Sequence, residues 1–164
     1  MKIGAISLGC DKNRVDTEKM LARLQKAGHT VVSSEEEADV VVVNTCAFTA
    51  DAKQEAIDEI LSVAAVKEKR PELGIVVTGC LPERYRGELT EGFPEVNAFL
   101  GIGDYDSIVR AVEAAGEGGK FFRVSGGDAY TRDRVLTTPP HYAYLKIAEG
   151  CSNRCTYCAI PGIR

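Results

Sequence analysis

The sequence has little of three features that would place it in familiar functional classes. Its 164 residues include only two histidines, so it predicts no Ser-His-Asp or Cys-His arrangement for nucleophilic catalysis. No apolar run approaches the roughly 20 residues that a membrane-spanning helix requires, and the apolar stretch at the start is too short for a signal peptide. A net charge of -4 provides no basic surface for phosphate groups. We therefore expect no membrane association and no strong binding of nucleic acid.

Cysteine, in contrast, occurs at six positions. The absence of a predicted signal peptide favours a cytoplasmic protein, and thiols stay reduced in that compartment. Six cysteines are then better explained by metal binding or catalysis than by structural disulfides.

Three of the cysteines, Cys151, Cys155 and Cys158, have the spacing C-x-x-x-C-x-x-C. Three thiolates from one short loop can hold three irons of a four-iron cluster and leave the fourth open to the amino and carboxylate groups of S-adenosylmethionine. A zinc site is the first alternative, although zinc usually takes four ligands in two separated pairs. The others are a disulfide with one leftover thiol and a chance spacing. The pattern favours an iron–sulfur site.

Short β-branched runs alternate with helical patterns over the first 115 or so residues. This alternation predicts βαβ units, and therefore an α/β fold with an open parallel sheet of the flavodoxin or Rossmann type. The Rossmann glycine fingerprint G-x-G-x-x-G is absent. The predicted strands cover residues 2–8, 29–32, 39–44, 74–78 and 97–100. The predicted helices cover residues 14–27 and 50–69 and a segment that begins at Asp104 or Asp106 and runs to Ala115.

The pattern changes after this segment, which predicts a division of the chain. Residues 1–115 are interpreted as the α/β domain, and residues 116–141, rich in glycine and proline, as a linker with a short strand at 120–124. Residues 142–147 alternate as a strand does and lead into Cys151, Cys155 and Cys158, which are called the tail cysteines below. Residues 142–164 are therefore interpreted as the start of a second domain.

The other three cysteines, Cys10, Cys46 and Cys80, each follow a predicted strand. Ligands of open parallel sheets bind at the carboxyl ends of the strands, so these thiolates could converge on a second cluster site. Gly9 and Gly79 would let the backbone approach the cluster closely. The alternative is that the three are core residues, because buried free cysteine is common as a small hydrophobe.

Several motifs resemble those of the radical S-adenosylmethionine methylthiotransferases. They are SLGCDKN at residues 7–13 with Asp16 and Glu18 following, the run from Ala38 to the Asn-Thr-Cys at 44–46, and VTGCL at 77–81. The tail motif matches as well. Residues 140–151 are similar in particular to the RimO-like branch, which acts on a ribosomal protein.

The resemblance implies a set of cofactors and a reaction. It implies two 4Fe-4S clusters, an auxiliary one on Cys10, Cys46 and Cys80 and a radical-generating one on Cys151, Cys155 and Cys158. Tyr157 would lie near the adenine of S-adenosylmethionine. The implied reaction adds a methylthio group to the β-carbon of an aspartate in a small-subunit ribosomal protein, with electrons from a reductase or a flavodoxin-type donor.

Two other functions stay open at this point. The sister branch of the family modifies an adenosine of tRNA, and a flavodoxin-like binding or electron-transfer module would need no cluster at all. The family continues into a catalytic barrel and a further terminal domain. We therefore expect this chain to be the N-terminal part of a radical S-adenosylmethionine enzyme and to be inactive alone.

Overall fold

The computed structural model describes residues 1–125 and 133–164. Residues 126–132, which belong to the predicted linker, lie outside the described residues. The strands are β1 (Lys2–Ser7), β2 (Thr30–Val31), β3 (Val40–Thr45), β4 (Gly74–Gly79), β5 (Ala98–Leu100) and β6 (Phe121–Arg123). The α-helices are α1 (Asp11–Lys26), α2 (Ala50–Lys69), α3 (Cys80–Tyr85), α4 (Glu88–Gly92) and α5 (Ile108–Gly116). Short 3-10 helices cover Glu35–Glu37, Ile102–Ser107 and Ile160–Gly162.

Within the described residues the strands form one parallel sheet in the order β2-β1-β3-β4-β5-β6. All residues of β3 and β4 are buried, which agrees with the unbroken valine run of β3 and with its predicted central position. The predicted α/β class with an open parallel sheet is confirmed. Among the described helices, none combines the length and the apolar character that a bilayer crossing demands.

The two long helices differ in how well the sequence predicts where they begin. Thr49 caps α2, since its hydroxyl accepts a hydrogen bond from the Ala52 N–H at 3.1 Å, and the bounds of α2 are those predicted. Helix α1 begins at Asp11, earlier than predicted. The residue at its N-cap, Cys10, makes no side-chain capping hydrogen bond. The sequence therefore carries no capping signal there.

The sheet extends beyond residue 115, because β6 pairs in parallel with β5. The sequence analysis expected a strand here but placed it in the linker. Asp104 helps to hold this strand, since its carboxylate pairs with Arg123 at 2.9 Å and accepts a hydrogen bond from the Ser125 N–H at 2.7 Å. Neither Asp104 nor Asp106 caps α5, which begins at Ile108 after a 3-10 helix.

Residues 142–147, predicted to be a strand, are not one in the structure. No other segment among the described residues pairs with them, and a strand is stable only when its N–H and C=O groups find partners. Lys146 turns inward to Asp16, while Leu145 and Ile147 are 82% and 88% exposed. The alternation of side chains here reflects ion pairing on one side and exposure on the other.

Candidate metal centre

The order of the strands defines one edge of the sheet as a binding crevice. In the doubly wound order 2-1-3-4-5, the ligand site lies at the carboxyl ends of strands 1 and 3, where the connections diverge. Cys10 follows β1 after a two-residue turn, Cys46 follows β3 directly, and Cys80 follows β4 directly. The fold therefore brings all three predicted ligands to this edge, with Cys10 and Cys46 on either side of the crevice.

Cys46 and Cys80 lie side by side, because Thr45 and Gly79, the residues that precede them, are partners in the pairing of β3 with β4, and both cysteines are buried. A hydrogen bond from Cys80 lowers the pKa of Cys46 to about 6, although burial acts in the opposite direction. Backbone N–H groups of Phe48 and Ala47 also bond the Cys46 sulfur and lower its pKa further. The same thiol contact, together with burial, raises the pKa of Cys80.

Gly9 brings the turn that carries Cys10 against this pair. Its φ of +78° lies in the left-handed region that favours glycine, and a Cβ there would lie 2.9 Å from the Cys46 sulfur. Cys10 itself is exposed at the N-cap of α1. The Cys10 turn can pass this close to Cys46 only because residue 9 has no side chain.

Gly79 has the corresponding role at the end of β4. Its φ is +97°, and a Cβ there would lie 2.5 Å from the Thr45 carbonyl oxygen. The turn into α3 is therefore pressed against the end of β3. This close approach sets Cys80 beside Cys46.

Asn13 of α1 links the turn after β1 to the end of β3, a role that is not among the predictions from the sequence. Its side-chain amide donates to the carbonyl oxygens of Leu8 at 3.0 Å and Thr45 at 2.9 Å. Its Oδ1 lies 3.9 Å from the Cys80 sulfur. A signal was present, because Asn13 continues the helical spacing of the buried Met20 and Leu24, and a polar residue on an apolar stripe indicates a buried hydrogen-bonding role.

The donor set at this edge fits an iron–sulfur cluster, because thiolates are its usual ligands and backbone N–H groups bond its sulfurs. Two positions before Cys46 and Cys80, the buried Asn44 Oδ1 and Thr78 Oγ1 have no hydrogen-bond partner among the described residues. No group of three or more Cys, His, Asp or Glu side chains in residues 1–125 and 133–164 is already closed around a metal position. Two of the three thiols are together and the third is exposed nearby, so their role as ligands stays a prediction.

The tail cysteines lie on an open loop. Cys151 and Cys155 are exposed and Cys158 is half-buried, and the Cys158 N–H donates to the Cys155 carbonyl oxygen at 3.0 Å. Tyr157 is 91% exposed. The loop presents its thiols and one aromatic ring outward, and their predicted roles toward a cluster and an adenine stay predictions.

Arg164 connects this tail to the strand-end thiols, a contact that the sequence analysis did not predict. Its guanidinium donates to the Asn13 side-chain oxygen at 2.5 Å, and its ion pairs join Asp16 at 3.2 Å and Glu149. The same Asn13 oxygen lies 3.9 Å from the Cys80 sulfur. The two groups of cysteines, far apart in sequence, thus belong to one region of the molecule.

Comparison with known proteins finds a family whose model matches more than half of the chain. Residues 2–101, which include all three strand-end cysteines, match the family described as "Uncharacterized protein family UPF0004". The chain belongs to this family. The match ends at residue 101, before the tail cysteines. Only the alignments with individual relatives extend over that part of the chain.

Several curated relatives align with the whole chain. It is 49% identical to the ribosomal protein uS12 methylthiotransferase RimO of Pelotomaculum thermopropionicum and 48% identical to the proteins of that name from Clostridium tetani and Heliobacterium modesticaldum. The alignments cover 100% of this chain but only 38%, 37% and 36% of those proteins. The RimO-like resemblance is confirmed, and the chain spans little more than a third of the length of these relatives.

Proposed function

We propose that this chain is the cluster-bearing part of a methylthiotransferase. In this proposal the longer protein adds a methylthio group to the β-carbon of an aspartate in a small-subunit ribosomal protein. The names of the relatives support the substrate class. The observation that carries the proposal is the placement of the buried Cys46 and Cys80 side by side at the carboxyl edge of the sheet, with Cys10 on the adjoining turn. All six cysteines are free, which suits a reducing, cytoplasmic environment.

The residues divide into two proposed sites. Cys10, Cys46 and Cys80 would hold the auxiliary 4Fe-4S cluster, and the three tail cysteines would hold the radical-generating one. When bound, these cofactors and S-adenosylmethionine supply the sulfur, the methyl group and the radical cleavage of a C–H bond that acid–base side chains cannot achieve.

Other side chains of this chain would position those groups. Burial of Cys46 and Cys80 keeps water from the inner side of the auxiliary site. Asn13 and the two glycines hold the three turns together. The exposed ring of Tyr157 is available to stack on an adenine.

The outward-facing tail loop also suits contact with a reductase or a flavodoxin-type electron donor. We expect this chain alone to be inactive, because it spans 38% of the length of such a relative. The remainder of the longer protein would complete the pocket for S-adenosylmethionine and substrate.

The test uses the longer protein under anaerobic conditions with S-adenosylmethionine, a reductant and ribosomal protein uS12. Mass spectrometry should show one methylthio group on an aspartate. The Cys46→Ala variant should lose this product and still form 5′-deoxyadenosine, whereas Cys155→Ala should lose both. Modification of anticodon-loop RNA in place of uS12 would transfer the assignment to the tRNA branch. Bound flavin without iron would favour an electron-transfer module.

A further inference from the structure

Two acidic residues of the first motif, Asp16 and Glu18, have no role in the proposed cluster sites, yet both side chains are buried on α1. Asp16 is 1% exposed and Glu18 is fully buried. A buried carboxylate is costly unless it is paired and hydrogen-bonded. The cationic partners of both come from residues 133–164, far along the chain.

Glu18 holds the first part of that segment. It pairs with Arg134 and accepts hydrogen bonds from the Thr137 N–H at 2.7 Å and the Thr137 hydroxyl at 2.8 Å. The Glu18 carbonyl oxygen also accepts from the Val135 N–H at 3.1 Å. These contacts hold residues 134–137, which precede the tail, and do not involve the cysteines.

Asp16 holds the part that carries the cysteines. One carboxylate oxygen pairs with Lys146 at 2.6 Å, and the other pairs with Arg164 at 3.2 Å and accepts from the Tyr105 hydroxyl at 3.4 Å. The Arg164 side chain is only 3% exposed. These two cations precede and follow the cysteine loop, so a single carboxylate holds both of its sides.

The loop is closed at the same place. A Cβ on Gly150 would lie 2.7 Å from the Arg164 carbonyl carbon, so the residue before Cys151 packs on the backbone of Arg164. Glu149 pairs with both Lys146 and Arg164. The base of the loop is therefore one compact cluster of charges over Asp16.

We propose that Asp16 and Arg164 are a positioning pair that seats the tail cysteine loop beside the thiols of Cys46 and Cys80. The guanidinium reaches from Asp16 to the Asn13 side-chain oxygen, and that oxygen lies 3.9 Å from the Cys80 sulfur, so the ion pair that closes the loop is linked to the strand-end site. The functional meaning rests on the proposed function, in which both clusters serve one substrate. The contact itself requires no cluster.

The test measures amide hydrogen exchange in the cluster-free chain. In the unaltered chain the N–H groups of Cys158 and Gly162, which bond the carbonyl oxygens of Cys155 and Ala159, should be protected. Asp16→Asn and Arg164→Gln should each raise their exchange rates by about tenfold or more, because each removes the ion pair between two buried side chains that closes the loop. The β3 amides should be unchanged.

Three further variants separate positioning from general stability. The double variant should be little worse than Asp16→Asn alone, because Asp16→Asn already removes the contact with Arg164. Lys26 is on the same helix as Asp16, and Lys26→Gln, which removes its exposed ion pair with Asp133, should leave the tail amides protected. Arg164→Lys, which keeps the charge, should restore part of the protection.

Unprotected tail amides in the unaltered chain, or unchanged exchange in Arg164→Gln, would overturn the proposal. If Asp16→Asn unfolds, seen as exchange of the β3 amides, Arg164→Gln decides alone. After reconstitution, the positioning pair also predicts that magnetic interaction between the two reduced clusters weakens in Arg164→Gln. A chain that binds no iron but passes the exchange test would refute the cluster proposal and leave the positioning pair intact.

Discussion

Cys46 and Cys80 follow strands in which every residue is buried, whereas Cys151 and Cys155 lie on an exposed loop that no strand of the described residues accompanies. The first pair is placed by the core of the sheet. The second is placed by a few charged side chains that meet on α1. One chain therefore orders its two groups of cysteines by different forces.

The difference has a consequence for how each region responds to perturbation. Packing of a core is cooperative, so a defect beneath the strand-end cysteines should lower the stability of the whole sheet. Ion pairs that fasten a tail are local, so their loss should open the tail while the sheet stays folded. Perturbations of one region can therefore be designed to leave the other unchanged.

The largest effect is expected at Gly79, where the strand-end turn is closest to β3. Gly79→Ala should lower the free energy of unfolding by about 3 kcal/mol or more, because it combines a left-handed φ with a clash against Thr45. Gly87→Ala is the matched control, since a Cβ there meets nothing within 4 Å and the backbone is helical. Its effect should be within about 1 kcal/mol. Urea unfolding followed by circular dichroism measures both, and equal effects would contradict the account.

The same substitution in the two regions should give unequal results. Ile75→Ala empties part of the core and should cost about 2 to 5 kcal/mol, whereas Ile147→Ala removes an 88% exposed side chain and should change stability by about 0.5 kcal/mol or less. Thermal unfolding provides the comparison. A large loss for Ile147→Ala would mean that the tail is part of the cooperative core.

Breaking the Glu18 contact should open the tail without affecting the sheet. In Glu18→Gln we expect the amide of Thr137 to exchange about tenfold faster, because its partner loses the charge that strengthens the hydrogen bond and Arg134 loses its ion pair. Amides of β3 serve as the internal reference. Equal acceleration in both regions would show that the tail and the sheet open together.

The smallest effect is expected from charge on the surface of the sheet region. Burial, followed by repulsion from Glu59, raises the pKa of Glu35 above its ordinary value. A raised carboxyl pKa means that the folded state binds the proton more tightly, so stability falls as the pH rises from the unfolded-state pKa through the folded-state pKa. Glu35→Gln should therefore stabilise the chain slightly at pH 7 and have no effect near pH 3. A destabilised variant at pH 7 would contradict this sign.

Local pattern was sufficient for the elements that pack by regular periodicity. The valine run of β3, the capped helix α2 and the strand-end positions of three cysteines all follow from neighbours in the sequence. The ion pair of Asp16 with Arg164 spans 148 positions, and no local pattern reports such a contact. In the sequence, only the helical spacing of Asp16 with Met20 and Leu24 on α1 indicates that Asp16 is buried.

In the tail, the sequence pattern predicts an element that the structure does not form. Residues 142–147 have the alternation of a strand, but the described residues provide no pairing partner for one. Periodicity reports which side chains face which way and does not report whether a neighbouring strand exists. The predicted strand failed for that reason.

In the proposed function one chain holds two separate cluster sites. Iron and acid-labile sulfide per chain after anaerobic reconstitution test it most directly, with the unaltered chain compared with Cys46→Ala, Cys155→Ala and the double variant. We predict that each single variant loses about four irons relative to the unaltered chain and that the double variant retains none. Full iron content in Cys46→Ala would contradict the claim and leave the strand-end cysteines as core residues.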